Sequence, residues 1–137
     1  GMGVSAISSL PSCYAQNVKD LSVYQERIAS GRLATERGLI RTAEDQLRGE
    51  LIEAILCQGR VDIPAFDARW NCRFIQKFAD GLEGLREFQA DGLLEINERY
   101  LALTELGGIF ARNIAMAFDE YLPRHRQSER PVFSQAV

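Results

Sequence analysis

Apolar residues recur along this chain at spacings that predict helices over most of its length. Leu21, Tyr24 and Ile28 are three and four positions apart and share one helical face. Asn17 ahead of them offers a side-chain oxygen to an orphan backbone N–H, and Gly31 behind them suits the left-handed residue that ends a helix. Residues 32–41 alternate only weakly and read as a loop. Thr42 with Asp45 three positions on resembles a capping box, with Asp in place of the usual Glu. Leu47, Leu51, Ile52 and Ile55 then give the stripe of a second helix, which Gln58-Gly59 terminates. Val61-Asp62-Ile63 reads as a short extended piece, because a residue before proline is pushed out of helical geometry. Pro64 opens a short helix through Trp70. Asn71 is a further N-cap candidate. Phe74, Phe78, Leu82, Leu85 and Phe88 after it predict one long helix, weakened at Gly81 and Gly84 by about 1 kcal/mol each relative to alanine. Asp91-Gly92 stops it.

Two short apolar runs, Leu93 to Ile96 and Tyr100 to Leu103, flank Asn97-Glu98-Arg99 and predict a β-hairpin. Thr104 caps a last helix carrying Ile109, Phe110, Ile114, Phe118, Tyr121 and Leu122, and Pro123 closes it. The polar tail from Arg124 to Val137 is expected to be extended. At the other end, residues 1–16 are rich in Gly, Ser and Ala; Met2 to Ser8 reads as a short strand and Pro11 breaks any regular element. The expected fold is mainly α, a helical domain with one β-hairpin in a winged-helix-like order. Residues 1–16 form a leading segment and linker, and 17–137 the helical domain with its hairpin and tail.

Composition narrows the function classes. A chain of 137 residues, 46% apolar and 26% charged, suits one soluble domain. Its net charge of −3 argues against a life spent on nucleic acid. No apolar run approaches the ~20 residues of a membrane helix, and no basic n-region precedes an apolar stretch. Cys13, Cys57 and Cys72 are too scattered for a disulfide framework, so a reducing cytoplasm is the expected setting.

Candidate chemistry is sparse. The sole histidine, His125, cannot build a metal site alone, and no thiol cluster for iron and sulfur exists. No catalytic residue and no metal ligand is therefore expected. The carboxylate pairs Glu50/Glu53 and Asp119/Glu120 read as solvated helix surface, and Gly107-Gly108 as a close approach to the hairpin. Arg69, Arg73 and Lys77, four apart, would share the face of a winged-helix recognition helix with Arg99 at the wing tip. Asp67, Asp80, Glu83 and Glu87 nearby oppose that use.

Read as whole stretches, the chain resembles the C-terminal end of oxygen-independent coproporphyrinogen III oxidases. The stretches are Gly1 to Ser8, Cys13 to Asn17, Leu21 to Tyr24, Asp91 to Leu94, Leu103 to Gly107, Ala111 to Leu122 and Phe133 to Val137. The resemblance implies a radical S-adenosylmethionine barrel followed by a helical C-terminal domain, with coproporphyrinogen III as substrate. Residues 1 to about 10 would match the last barrel segment, and Ile7 would fall at the adenosylmethionine site as an apolar contact. The family's cluster motif is absent here. The chain is thus expected to be non-catalytic alone, to cover or shape the substrate site of a barrel in cis, and to need the 4Fe–4S cluster and S-adenosylmethionine held elsewhere. Its lone leading strand is expected to be mobile or to self-associate with a second copy. A winged-helix nucleic-acid binder and a free-standing tetrapyrrole- or protein-binding module are the alternatives.

Overall fold

The first seventeen residues form two strands rather than one. In the computed structural model, which describes residues 1–122, β1 (Ile7–Ser9) and β2 (Cys13–Asn17) make an antiparallel hairpin with Ile7 opposite Gln16 and Ser9 opposite Tyr14. The turn at Pro11 is closed by Leu10 N donating to Cys13 O at 2.9 Å. The helix α1 (Leu21–Ala29) follows, and β3 (Thr35–Ile40) returns along the other edge of β2, giving the order β1-β2-β3. Two expectations are corrected. The leading strand is paired within its own chain and antiparallel, and residues 35–40 are strand rather than loop. All six residues of β3 are exposed, so no face of it carries the apolar alternation that marks a half-buried strand.

The cap of α1 is a third correction. Asp20, not Asn17, accepts the backbone N–H of Val23, at 2.9 Å. The Asn17 amide is committed elsewhere, donating to Gly3 O at 2.9 Å, and its backbone lies in β2 opposite Thr35. Gly31 is left-handed as expected, with φ 70°.

The chain divides into two compact units, Gly1–Gln46 and Leu47–Val137. In the first, Val18 and Ala34 are the buried apolar residues, while Ile7, Leu10, Leu21, Ile28, Leu33, Leu39 and Ile40 are exposed. The sheet therefore has little core of its own.

The helix α2 (Ala43–Gln58) opens on the expected reciprocal cap. Thr42 Oγ1 accepts Asp45 N at 3.1 Å, and the Asp45 carboxylate accepts Thr42 N at 2.7 Å. We expect Thr42→Ala to cost about 1 kcal/mol in urea denaturation and Thr42→Ser to cost little, since serine restores the acceptor.

In the second unit, Gly59 (φ 65°) ends α2 and leads into β4 (Arg60–Asp62). Asp62 caps α3 (Ile63–Trp70), accepting Ala65 N at 2.9 Å, with Pro64 in the first turn. Asn71 is the left-handed residue after α3 (φ 47°), not the N-cap of the next helix. The expected long helix is three short ones: α4 (Phe74–Lys77), α5 (Ala79–Glu83) and α6 (Arg86–Ala90). The breaks fall at Phe78 (φ −109°, ψ 23°) and Leu85 (φ −97°, ψ 0°). Glycines at 81 and 84 lower the penalty for leaving helical geometry. Gly81 also packs where a Cβ would stand 2.7 Å from Ala117 O. The apolar spacing survives the breaks, because Phe74, Phe78 and Leu85 all still reach the core.

The hairpin stands as expected: β5 (Leu94–Ile96) pairs β6 (Tyr100–Leu103), and β4 joins the far edge of β6, giving the order β4-β6-β5. Asn97 Oδ1 accepts the N–H groups of Arg99 and Tyr100 and holds the turn. The last helix is interrupted: a 3-10 turn (Gly107–Phe110), α7 (Ala111–Ala115) and a second 3-10 turn (Met116–Phe118). Pro123 and the tail lie outside the described residues. Leu51, Ile55, Leu94, Leu101, Ile114 and the rings of Phe66, Phe74, Phe78 and Phe118 form one core. Helix, strand, helices and hairpin in this order are winged-helix-like, as the sequence indicated.

Candidate functional site

Cross-strand partners in an antiparallel sheet share a face. Ile7 opposite Gln16, Gln16 opposite Arg37 and Tyr14 opposite Leu39 therefore all lie on one face of the β1-β2-β3 sheet. They line a shallow groove of about 320 Å³ together with the backbone at Ala15 and Gly38. Ile7 is 64% exposed and Leu39 66%, an apolar floor with nothing over it among the described residues. Gly38, opposite Ala15, belongs to the other face, where a Cβ would stand 3.1 Å from Tyr14 O.

Two guanidinium groups frame this floor in different ways. Arg41 stacks on the Tyr14 ring, 4.8 Å from its centroid, and its Nη2 donates to Asp45 O at 3.2 Å. That contact holds the ring in place and is worth about 0.5–1 kcal/mol at such a partly exposed position. Arg37 donates through Nε to Gln16 Oε1 at 2.7 Å. Its two terminal nitrogens make no hydrogen bond or ion pair with the described residues. Sequence reasoning picked out Ile7 and missed Tyr14, Gln16, Arg37, Leu39 and Arg41. The signal was present as alternating positions on two segments, but it is legible only once 35–40 is known to be a strand.

The residues considered for nucleic acid come together only in part: Arg73 and Lys77 line one open hollow with Asn71 and Gln76, and Arg69 and Arg99 are not in its lining. Arg69 lies on α3 and is paired with Glu50 at 3.0 Å; Arg73 precedes α4 and Lys77 ends it. A face shared by all three would need one continuous helix through them, and left-handed Asn71 ends α3 before α4 begins. Of the carboxylate pairs, Glu50 is the partner just named, Glu120 pairs with Arg48 at 3.6 Å, and Asp119 accepts Tyr121 N at 2.8 Å. Cys13 on β2, Cys57 in α2 and Cys72 after α3 form no disulfide and are not grouped, and Cys72 Sγ donates to Asp67 Oδ1 at 3.7 Å. Among the described residues no set of three or more His, Cys, Asp or Glu side chains is placed to hold a metal ion. The donor set does not fit an iron–sulfur cluster, which takes clustered thiolates. No helix among them is long and apolar enough to cross a membrane. His125 lies outside the described residues.

Residues 42–110, from the capping box of α2 through the hairpin to the first 3-10 turn, match the HemN C-terminal domain family. The chain belongs to that family. The chain is 35% identical to the oxygen-independent coproporphyrinogen III oxidase of Escherichia coli across all 137 residues, and it spans 30% of that protein. It is 38% identical to the oxidase of Thermostichus vulcanus, of which it spans 42%. A solved structure of coproporphyrinogen III oxidase (HemN) from Escherichia coli, a radical SAM enzyme, superposes with a TM-score of 0.79 at 38% identity. That superposition covers 89% of this chain and 28% of the solved one.

Proposed function

We propose that this chain is the non-catalytic C-terminal part of an oxygen-independent coproporphyrinogen III oxidase and that its β1-β2-β3 sheet forms a wall of the substrate site. The observation that carries the reading is the uncovered face of Ile7, Tyr14 and Leu39 in a unit whose buried apolar residues are Val18 and Ala34. An apolar face without a core beneath it is stabilised when another surface covers it. A radical S-adenosylmethionine barrel in cis is the covering partner in this reading, and coproporphyrinogen III the ligand between them. The full enzyme's adenosylmethionine and cluster supply the radical that starts loss of carbon dioxide from the propionates. Both are held by the barrel, since the thiols here cannot hold a cluster. Ile7, exposed on the groove, would pack against the adenosylmethionine as an apolar contact. The leading residues would continue the barrel's sheet. A cytoplasmic setting agrees with three cysteines that form no disulfide.

A chimera tests this. The segment of the Escherichia coli oxidase that this chain matches is replaced by the chain, and the cluster is reconstituted anaerobically. We expect conversion of coproporphyrinogen III to protoporphyrinogen IX at a measurable fraction of the parent rate. A folded chimera with its cluster intact and no turnover would sink the reading.

A further inference from the structure

The groove face offers a ligand two unlike things, an apolar floor and an exposed guanidinium, that of Arg37, with uncommitted donors. The floor is Ile7 and Leu39, with the Tyr14 ring fixed beside them by Arg41. The donors are those of Arg37, whose Nε is already anchored to Gln16 Oε1. Anchoring one edge of a planar guanidinium restricts its rotation and leaves Nη1 and Nη2 for a bidentate acceptor, the geometry that carboxylates match. Arg41 is stacked on Tyr14 and bonded to Asp45 O, and its remaining unpartnered Nε is buried rather than open to a ligand on the face, so it is the poorer candidate. Adjacent strands lie roughly 4.8 Å apart, so Ile7 on β1 and Arg37 on β3 are about 10 Å apart across the face. A flat apolar ring system with carboxylate arms at its rim satisfies both at once. A purely apolar ligand would leave Arg37 desolvated without a partner, and a small free anion would leave the floor in water.

We propose that Arg37 is the specificity-determining anchor for one propionate carboxylate of a tetrapyrrole lying on this sheet face, an inference that rests on the function proposed above. Its test is a binding measurement independent of turnover. The full chain is titrated with coproporphyrin III and, separately, with its tetramethyl ester, following porphyrin fluorescence. We expect the acid to bind and Arg37→Gln to weaken it about tenfold or more, the scale of a lost charge-assisted pair. Arg37→Lys should recover part of that loss, and the ester should bind weakly and alike to all variants. Arg32→Gln is the charge control, because Arg32 lies off the sheet beside Glu26 at 4.0 Å and should leave binding unchanged. Arg37 is exposed, so its removal leaves folding intact by circular dichroism. Equal binding by wild type and Arg37→Gln overturns the proposal. So does an ester that binds as tightly as the acid, an equal loss in Arg32→Gln, or no binding of the acid at all. The chimera above separates the two ideas: an active chimera with a failed titration removes only the anchor, whereas an inactive one removes the reading beneath it.

Discussion

Gly107→Ala is expected to destabilise the Leu47–Val137 unit severely. A Cβ built on Gly107 falls 1.7 Å from Leu93 O and 2.7 Å from its carbonyl carbon, inside any van der Waals limit. The obstacle is backbone, so no side chain can swing aside. Leu93 O is also in use: Thr104 N donates to it at 3.0 Å, and the Thr104 hydroxyl lies 3.2 Å away while accepting Gly107 N at 3.1 Å. Any shift that admits the methyl breaks this knot between the hairpin and the turn after it. We expect a loss of about 3–5 kcal/mol, overpacking plus broken hydrogen bonds, out of a total stability of roughly 5–15 kcal/mol. Gly108 is the control. A Cβ there meets open space, so Gly108→Ala should change stability by less than about 0.5 kcal/mol. Urea denaturation followed by far-UV circular dichroism measures both, and equal midpoints for the two variants would refute the packing argument.

Phe74→Ala should cost nearly as much by the opposite route. Phe74 is fully buried and touches three other rings: Phe78 at 5.1 Å between centroids, Phe66 at 5.5 Å edge-on, and Phe118 at 6.3 Å. Truncation removes the ring and leaves a cavity between α3, α4 and the last 3-10 turn. Buried Phe→Ala substitutions cost about 3–5 kcal/mol, and we expect this one in that range. Phe74→Leu, which keeps most of the volume, should cost clearly less. Ile75, the next residue, is 43% exposed, and Ile75→Ala should cost under about 1 kcal/mol. Thermal midpoints for the three variants would show this order; a similar cost at Phe74 and Ile75 would contradict the burial pattern.

The unit with a core was the unit legible in the sequence. Leu47, Leu51 and Ile55 at fourfold spacing mark α2 because one face of that helix is buried and the others are not. Leu94 and Leu101 mark the hairpin for the same reason. The β1-β2-β3 sheet was largely missed, since periodicity reports burial and β3 has none. Asn17 and Asp20 are equally good caps by type; what decided between them was a long-range bond from Asn17 to Gly3, invisible to local reasoning. The breaks at Phe78 and Leu85 were hidden because an interrupted helix can keep its residues facing one way. For the site, Ile7 came from resemblance alone. Arg37, Arg41 and Tyr14 needed a strand register that no spacing rule supplies.

The β4-β6-β5 sheet also sets an order of events for the folding chain. β5 and β6 are joined by a three-residue turn and can pair within microseconds once both exist. β4 must wait, because Arg60 finds its partner at Ala102 and everything from α3 to the hairpin lies between them. Closing a loop of that length costs entropy before any contact returns it, and such non-local pairing slows folding. On the ribosome, β4 therefore emerges with an open edge and stays so until β6 is synthesised. Its short span and the charged residues Arg60 and Asp62 on either side of Val61 are what keep that waiting edge from pairing with another chain.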